Sequence, residues 1–295
     1  CRGYAATALA DWADRVKGDR HEAAQHLEKA LLAAPGDRRL ALHLDECLRG
    51  LQDTERRDAL LATLPQTSPK RGDVVFRQAR LHLDCGRPES AIAALMSGDF
   101  SVYEGGTSVR RLYVDACLIA AVDAWLAHNP ARAEEACRQV FEYPENLGAA
   151  SYLGEHSRMA RYLLGAFADS AGRSEEAERW WRDVLSRSSG TVTYSVGGED
   201  AQHIGRLDER LALVLAHARL NGTRPEDTTD TTQDDDTPAA AANALCQALG
   251  RGDADTLSVA AAASRHFPCD PLIRILTQVA HVESRLPRQT AEADA

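Results

Sequence analysis

His43 and Cys47 stand four residues apart with Asp45 and Glu46 between them, a spacing that puts an imidazole and a thiol on one helical face. A metal site needs a second ligand pair at fixed spacing, and none accompanies this one. A buried cysteine beside a more exposed histidine accounts for the same pattern. His21 and His26 are five apart and do not share a face. Asp234, Asp235 and Asp236 make an acidic run without the glycine and distal glutamate of a calcium loop. The sequence has no phosphate-binding loop, dinucleotide fingerprint or nucleophile elbow. The expectation is a chain with no catalytic residue, no metal and no cofactor.

Two loops hold the remaining polar candidates. In the first, Tyr103, Glu104, Gly105 and Gly106 lead into a helix bearing Arg110 and Tyr113. The glycine pair frees the backbone for a tight turn, and Glu104 has Arg110 or a neighbouring amide as a partner. In the second, Pro144 stops a helix begun before Tyr143, Asn146 can bond its own backbone, and Gly148 permits positive φ. One reading makes both loops helix stops that brace adjacent hairpins. The other brings them together on one side of the fold, where Tyr103, Glu104, Gly105, Gly106, Arg110, Tyr113, Tyr143, Glu145 and Asn146 form a polar contact surface. Trp180 and Trp181 are expected to divide their roles, one ring in the core and the other near the outer face.

The elements that carry these loops are helical hairpins. Gly18-Asp19 turns the chain, Ala23 lets two helices approach, Leu27 and Ala30 continue one face, and Pro35 ends the helix. Shifting by 34 residues lands on Leu61, Leu64 and Pro69, a weaker copy, and by 68 on Ala91, between Gly86-Arg87-Pro88 and Leu95. Gly86 suits a helix C-terminus and Pro88 the first turn of the next helix. A fourth unit pairs a helix over 108–127 with Pro130–Val140. A fifth runs through Leu164-Gly165, Gly172, Ala177, Trp181 and Val184. The steps Ala91 to Ala133 and Ala133 to Ala177 are 42 and 44, and the excess falls in 97–107 and 144–154, where the two loops lie. A period near 34 is that of a tetratricopeptide-type array. The expected fold is all-α, a right-handed α-α superhelix with a helical C-terminal extension.

Past residue 188 the period falters. The array is expected over 1–188, then a linker and closing helix over 189–222, with Leu211, Val214 and Leu215 on one face. An acidic segment over 223–237 has six carboxylates and no apolar residue, a composition that predicts disorder. Helical hairpins follow over 238–287, and a polar tail over 288–295. Cys1 would suit a lipidated N-terminus, but the pattern from Tyr4 to Trp12 is already helical, so residue 1 is expected to lie inside a repeat of a protein that extends upstream.

Net charge is −10 and arginine is spread along helices, which disfavours nucleic acid. No apolar run approaches the ~20 residues of a membrane span. Seven scattered cysteines without a close pair suit a reducing compartment, so the expected location is cytoplasmic.

The order Glu104-Gly105-Gly106, Arg110, Tyr113-Val114-Asp115-Ala116 and Pro144-Glu145-Asn146-Leu147-Gly148 resembles the tetratricopeptide region of bacterial proteins with a DUF5107-type domain, over about residues 1–190. In that family the resemblance implies a mutarotase-like β-sandwich upstream. The sequence departs from the family after Gly148 and in its acidic segment and C-terminal helices. The expected function is a non-catalytic scaffold that binds a protein partner or packs on an upstream domain of its own polypeptide. The alternative is the accessory helical part of a carbohydrate-active enzyme, with any sugar bound through that domain.

Overall fold

The computed structural model describes residues 2–64, 72–100, 106–148, 158–186, 207–222 and 237–286. The linker expected over 189–206, most of the acidic segment and the tail over 288–295 lie outside them. Among the described residues the chain is all-α, as expected. Five hairpins come first: α1 (Arg2–Arg15) with α2 (Arg20–Ala33), α3 (Arg38–Gly50) with α4 (Thr54–Ala62), α5 (Gly72–Asp84) with α6 (Pro88–Met96), α7 (Gly106–Leu126) with α8 (Pro130–Gln139), and α9 (Arg158–Ser170) with α10 (Ser174–Ser186). Then come α11 (Leu207–Asn221), α12 (Pro238–Arg251), α13 (Thr256–His266) and α14 (Pro271–Arg285). The chain divides into two compact units, Cys1–Val109 with Glu145–Gly148, and Arg110–Pro144 with Ala149–Ala295.

Each hairpin turns on one left-handed residue: Gly18, Gln52, Gly86, His128 and Gly172, with φ of 69°, 58°, 73°, 60° and 75°. The first three are spaced by 34 residues. The residue after each turn donates its N–H back to a carbonyl of the finished helix, for instance Arg87 to His82 at 2.8 Å and Asn129 to Ala124 at 2.9 Å. Where that residue is Asp19, Asp53 or Asn129, its side chain also accepts from an N–H of the next helix at 2.9, 3.0 and 3.2 Å. Glutamine and histidine adopt this backbone less readily than glycine, which is why the turns at Gln52 and His128 are faint in the sequence.

Counting from the turn residue gives one register for all five hairpins. The ninth residue after it is Leu27, Leu61, Leu95, Cys137 or Trp181, and all are buried. The fifth is Ala23, Ala91, Ala133 or Ala177 in four hairpins, all buried, a small side chain that lets two helices approach closely. The seventh residue before the turn faces it from the first helix and is also small in the last three hairpins: Ala79, Ala121 and Gly165. At Gly165 a Cβ would come within 2.3 Å of Trp181 Nε1, so only glycine lets that ring in. The ring stacks on Tyr162 and its N–H donates to the Tyr162 carbonyl at 3.3 Å, while Trp180, partly exposed, stacks on Phe141. The two tryptophans divide as expected.

The second hairpin breaks the rule. Arg57 occupies the alanine position and is only 1% exposed, with Asp45 facing it at the other small position. Arg57 Nε donates to Asp45 Oδ1 at 2.8 Å, and a terminal nitrogen donates to Asp84 Oδ2, on the third hairpin, at 2.7 Å. Burial alone would lower the pKa of Arg57, but Asp45 and Asp84 outweigh it and raise it. At Asp84 burial wins over Arg57 and Arg49 and pushes the carboxyl up, and its Oδ1 has no hydrogen bond. Both pKa values therefore rise, pairing deciding the sense at Arg57 and burial at Asp84. Arg57 stays charged in either case, and Asp84 is the member held least firmly. A desolvated cation stays in a helical core only with counter-ions in contact, so the network ties α3, α4 and α5 together.

Arg57→Ala, which takes the closest cation from two buried carboxylates, is expected to destabilise the chain by about 3–5 kcal/mol in denaturant unfolding. Adding Asp45→Ala rebuilds the alanine pair of the third and fourth hairpins and should recover about half of that loss or more. A double variant no more stable than Arg57→Ala alone would contradict the register.

Candidate functional site

Nine and six residues before each turn, the first helices present a pair on one face. The pairs are Leu9 and Trp12, His43 and Glu46, Arg77 and Arg80, Ile119 and Val122, and Leu163 and Ala166. In the first unit this face is open. Leu9 and Trp12 are each 48% exposed, Glu46 is exposed, and His43, Arg77 and Arg80 are partly so. In the second unit the equivalent residues are buried: Ile119, Leu163 and Ala166 fully, Val122 nearly so.

The open face grades from apolar to ionic. Lys17 Nζ, in the turn after α1, sits 4.3 Å from the ring centre of Trp12 on α1. On α3, His43 Nε2 lies 3.5 Å from Asp11 and Glu46 pairs with Arg77 of α5. The pair of His43 and Cys47 divides into a buried cysteine and a more exposed histidine. Cys47 is buried, and burial pushes its thiol up to about 11, which leaves it a poor thiolate. Among the described residues no group of three or more His, Cys, Asp or Glu is placed to hold a metal ion, and no helix is long and apolar enough to cross a membrane.

Most of the described loop residues named from the sequence are engaged locally. Arg110 donates to the carbonyls of Val140 and Glu142 at the end of α8, and its guanidinium lies 4.2 Å from the Tyr143 ring centre and 5.4 Å from that of Tyr113. Tyr113 is buried. The stretch Glu145–Leu147 forms one 3₁₀ turn. The Asn146 amide donates to Leu95 O at 3.0 Å and Gly98 O at 2.9 Å, while its own carbonyl accepts from the Phe100 N–H at 2.8 Å. These three bonds fasten the second loop to the end of α6, where the first loop begins. Glu145 is exposed. Gly106 begins α7, and Tyr103, Glu104 and Gly105 lie outside the described residues.

A second polar cluster, unmarked in the sequence, lies in the other unit. Asp208 and Glu209, in the first turn of α11, are both buried, as is Asp115 of α7. Arg111 pairs with Asp115 at 3.1 Å and with Asp208 at 3.4 Å, and the Arg158 N–H at the start of α9 donates to Glu209 Oε2 at 3.1 Å. Burial first, and the Asp208 charge second, push the Glu209 carboxyl up to about 7. A proton held near neutral pH makes this carboxyl sensitive to pH. Its effect is on stability.

No protein-family model matches this chain, and no curated protein matches it. A solved structure, a TPR repeats protein (BF2334) from Bacteroides fragilis NCTC 9343, is similar with a TM-score of 0.40 and 15% identity, covering 75% of this chain and 92% of that one. A likeness at that level decides nothing about function, and the helical-hairpin reading stands on the turn register.

Because Glu209 binds its proton more tightly folded than unfolded, the chain should lose stability as pH rises from about 4.5 to about 7, then level off. The difference between wild type and Glu209→Gln isolates this group, and it should change by up to about 3 kcal/mol across that window in denaturant melts. A difference that does not vary with pH would contradict the buried, protonated carboxyl.

Proposed function

We propose that this chain is a non-catalytic helical scaffold that binds a protein partner along the open face of its first three hairpins. The observation that carries this is the contrast between equivalent positions: Leu9 remains half exposed where Ile119 and Leu163 are buried, and Trp12 where Val122 and Ala166 are buried. Exposed tryptophan and leucine at interior positions of a repeat register mark a surface fitted for contact. The ionic pairs of α3 and α5 would set the orientation of a bound segment, its apolar end on α1. Glu145 is kept as a candidate contact, while Arg110 and Asn146 serve as braces. The carbohydrate-linked alternative rests on resemblance alone. A cytoplasmic location is proposed with it, on the scattered cysteines.

A photo-reactive phenylalanine analogue at residue 12, introduced in the producing cell, should yield a discrete protein adduct. The same group at Arg182, on the outer helix α10, should not. Reversing the far end with Arg77→Glu and Arg80→Glu should abolish the adduct at 12. Identical adducts from both positions, or an adduct indifferent to the charge reversal, would count against the reading.

A further inference from the structure

The face that is open in the first unit is closed in the second, though the hairpins share one register, and side chains of the C-terminal helix α14 reach its edges. Gln278 Nε2 of α14 donates to Asp123 Oδ1 of α7 at 2.5 Å. Glu283 of α14 accepts from the Tyr162 hydroxyl of α9 and from Arg219 of α11, the latter at 3.1 Å. The Arg285 guanidinium lies 5.8 Å from the centre of the Trp125 ring, itself stacked on Phe167 at 5.7 Å. Tyr162 stands ten residues before its turn and Asp123 five before its own, so these contacts flank the buried pairs Ile119–Val122 and Leu163–Ala166.

Three features mark α14 as a ligand of this face more than a part of the hairpins. The first three hairpins keep the same register with the face uncovered, so the cover is not needed for a hairpin to form. The helices α12, α13 and α14 pack on one another, with Leu245, Leu249, Ala260, Ile273 and Leu276 buried. The bridges from α14 to α7, α9 and α11 are polar: an amide to a carboxylate, a carboxylate between a hydroxyl and a guanidinium, and a guanidinium over an indole. Such contacts fix register and orientation, while Ile275, Val279 and Val282 lie on the arc of α14 between Gln278 and Glu283 and are buried, so α14 meets this face as an amphipathic helix; Gln278 Oε1 is buried without a partner.

We propose that α7, α9 and α11 form a groove for one amphipathic helix, that α14 is its resident ligand, and that a partner helix bearing the same polar order displaces it. The order is an amide, a carboxylate five residues on and an arginine two beyond, as in Gln278, Glu283 and Arg285. The amide reads Asp123, the carboxylate reads Tyr162 with Arg219, and the arginine reads Trp125. This groove belongs to the other unit from the open face proposed above, so either can fail without the other.

A fluorescent peptide of residues 270–286 is the probe, titrated by anisotropy into the full chain. Removing the resident contacts with Gln278→Ala and Glu283→Ala should raise the peptide's affinity at least about tenfold over the unaltered chain, and Glu283→Ala in the peptide should lower it by as much. Binding to neither chain, or equal binding that ignores the peptide's Glu283, overturns the proposal. Should the double variant not fold, native-state hydrogen exchange on the unaltered chain decides. The amides of α12, α13 and α14 should then exchange as one set, at least about tenfold faster than those of α9 and α10. Exchange of α14 with the slowest set would overturn it.

Discussion

Everything regular in this chain depends on how closely two helices of a hairpin pass. Where Ala23, Ala91, Ala133 and Ala177 sit, a larger side chain has no room unless something else gives, and the fifth residue after the turn is therefore small. The second hairpin shows what an exception requires. Arg57 fills the same position, Asp45 replaces the facing small residue, and Asp84 reaches in from the next hairpin. A steric rule becomes an electrostatic one, and a contact that would be local in its neighbours ties three helices together. A buried ion network of this kind adds specificity of pairing more than net stability, because desolvation of the guanidinium offsets much of the attraction.

The same register exposes a difference in use. One face of the first helices carries Trp12, Glu46 and Arg77 in the first unit, open to solvent to differing degrees, and Val122 and Ala166, buried, in the second. Apolar residues at these positions follow the presence of a cover. Ile119 and Leu163 are buried in the unit where α11 packs on α9 and where Asp208, Gln278 and Glu283 supply polar anchors. Leu9 and Trp12 are the exception, apolar and half exposed, which is why the contact surface is placed there.

The all-α fold, the hairpins at Gly18, Gly86 and Gly172, and the three C-terminal helices were legible because glycine in the left-handed region, proline at a helix start and an alanine five residues later are local signals. The turns at Gln52 and His128 were not, since neither residue announces positive φ; a count of 34 from Gly18 would have found the first and shown Arg57 at an alanine position. The tryptophan pair was read correctly from helical spacing. The loops after α6 and α8 were visible as insertions, but their role depended on partners far along the chain, such as Leu95 and Gly98 for Asn146. The buried acids Asp208 and Glu209 and the bridges from α14 were invisible for the same reason, as a charged residue in a helix reads as solvated until a distant element covers it.

One contrast runs through the structure: equivalent helical faces are open in the first unit and closed in the second, where side chains of α14 reach the edges. Hydroxyl-radical footprinting of the intact chain, read residue by residue, tests it most directly. Trp12 and Leu9 should be modified rapidly, with Tyr162 and Leu163 strongly protected. Modification of Tyr162 as fast as that of Trp12 would contradict it.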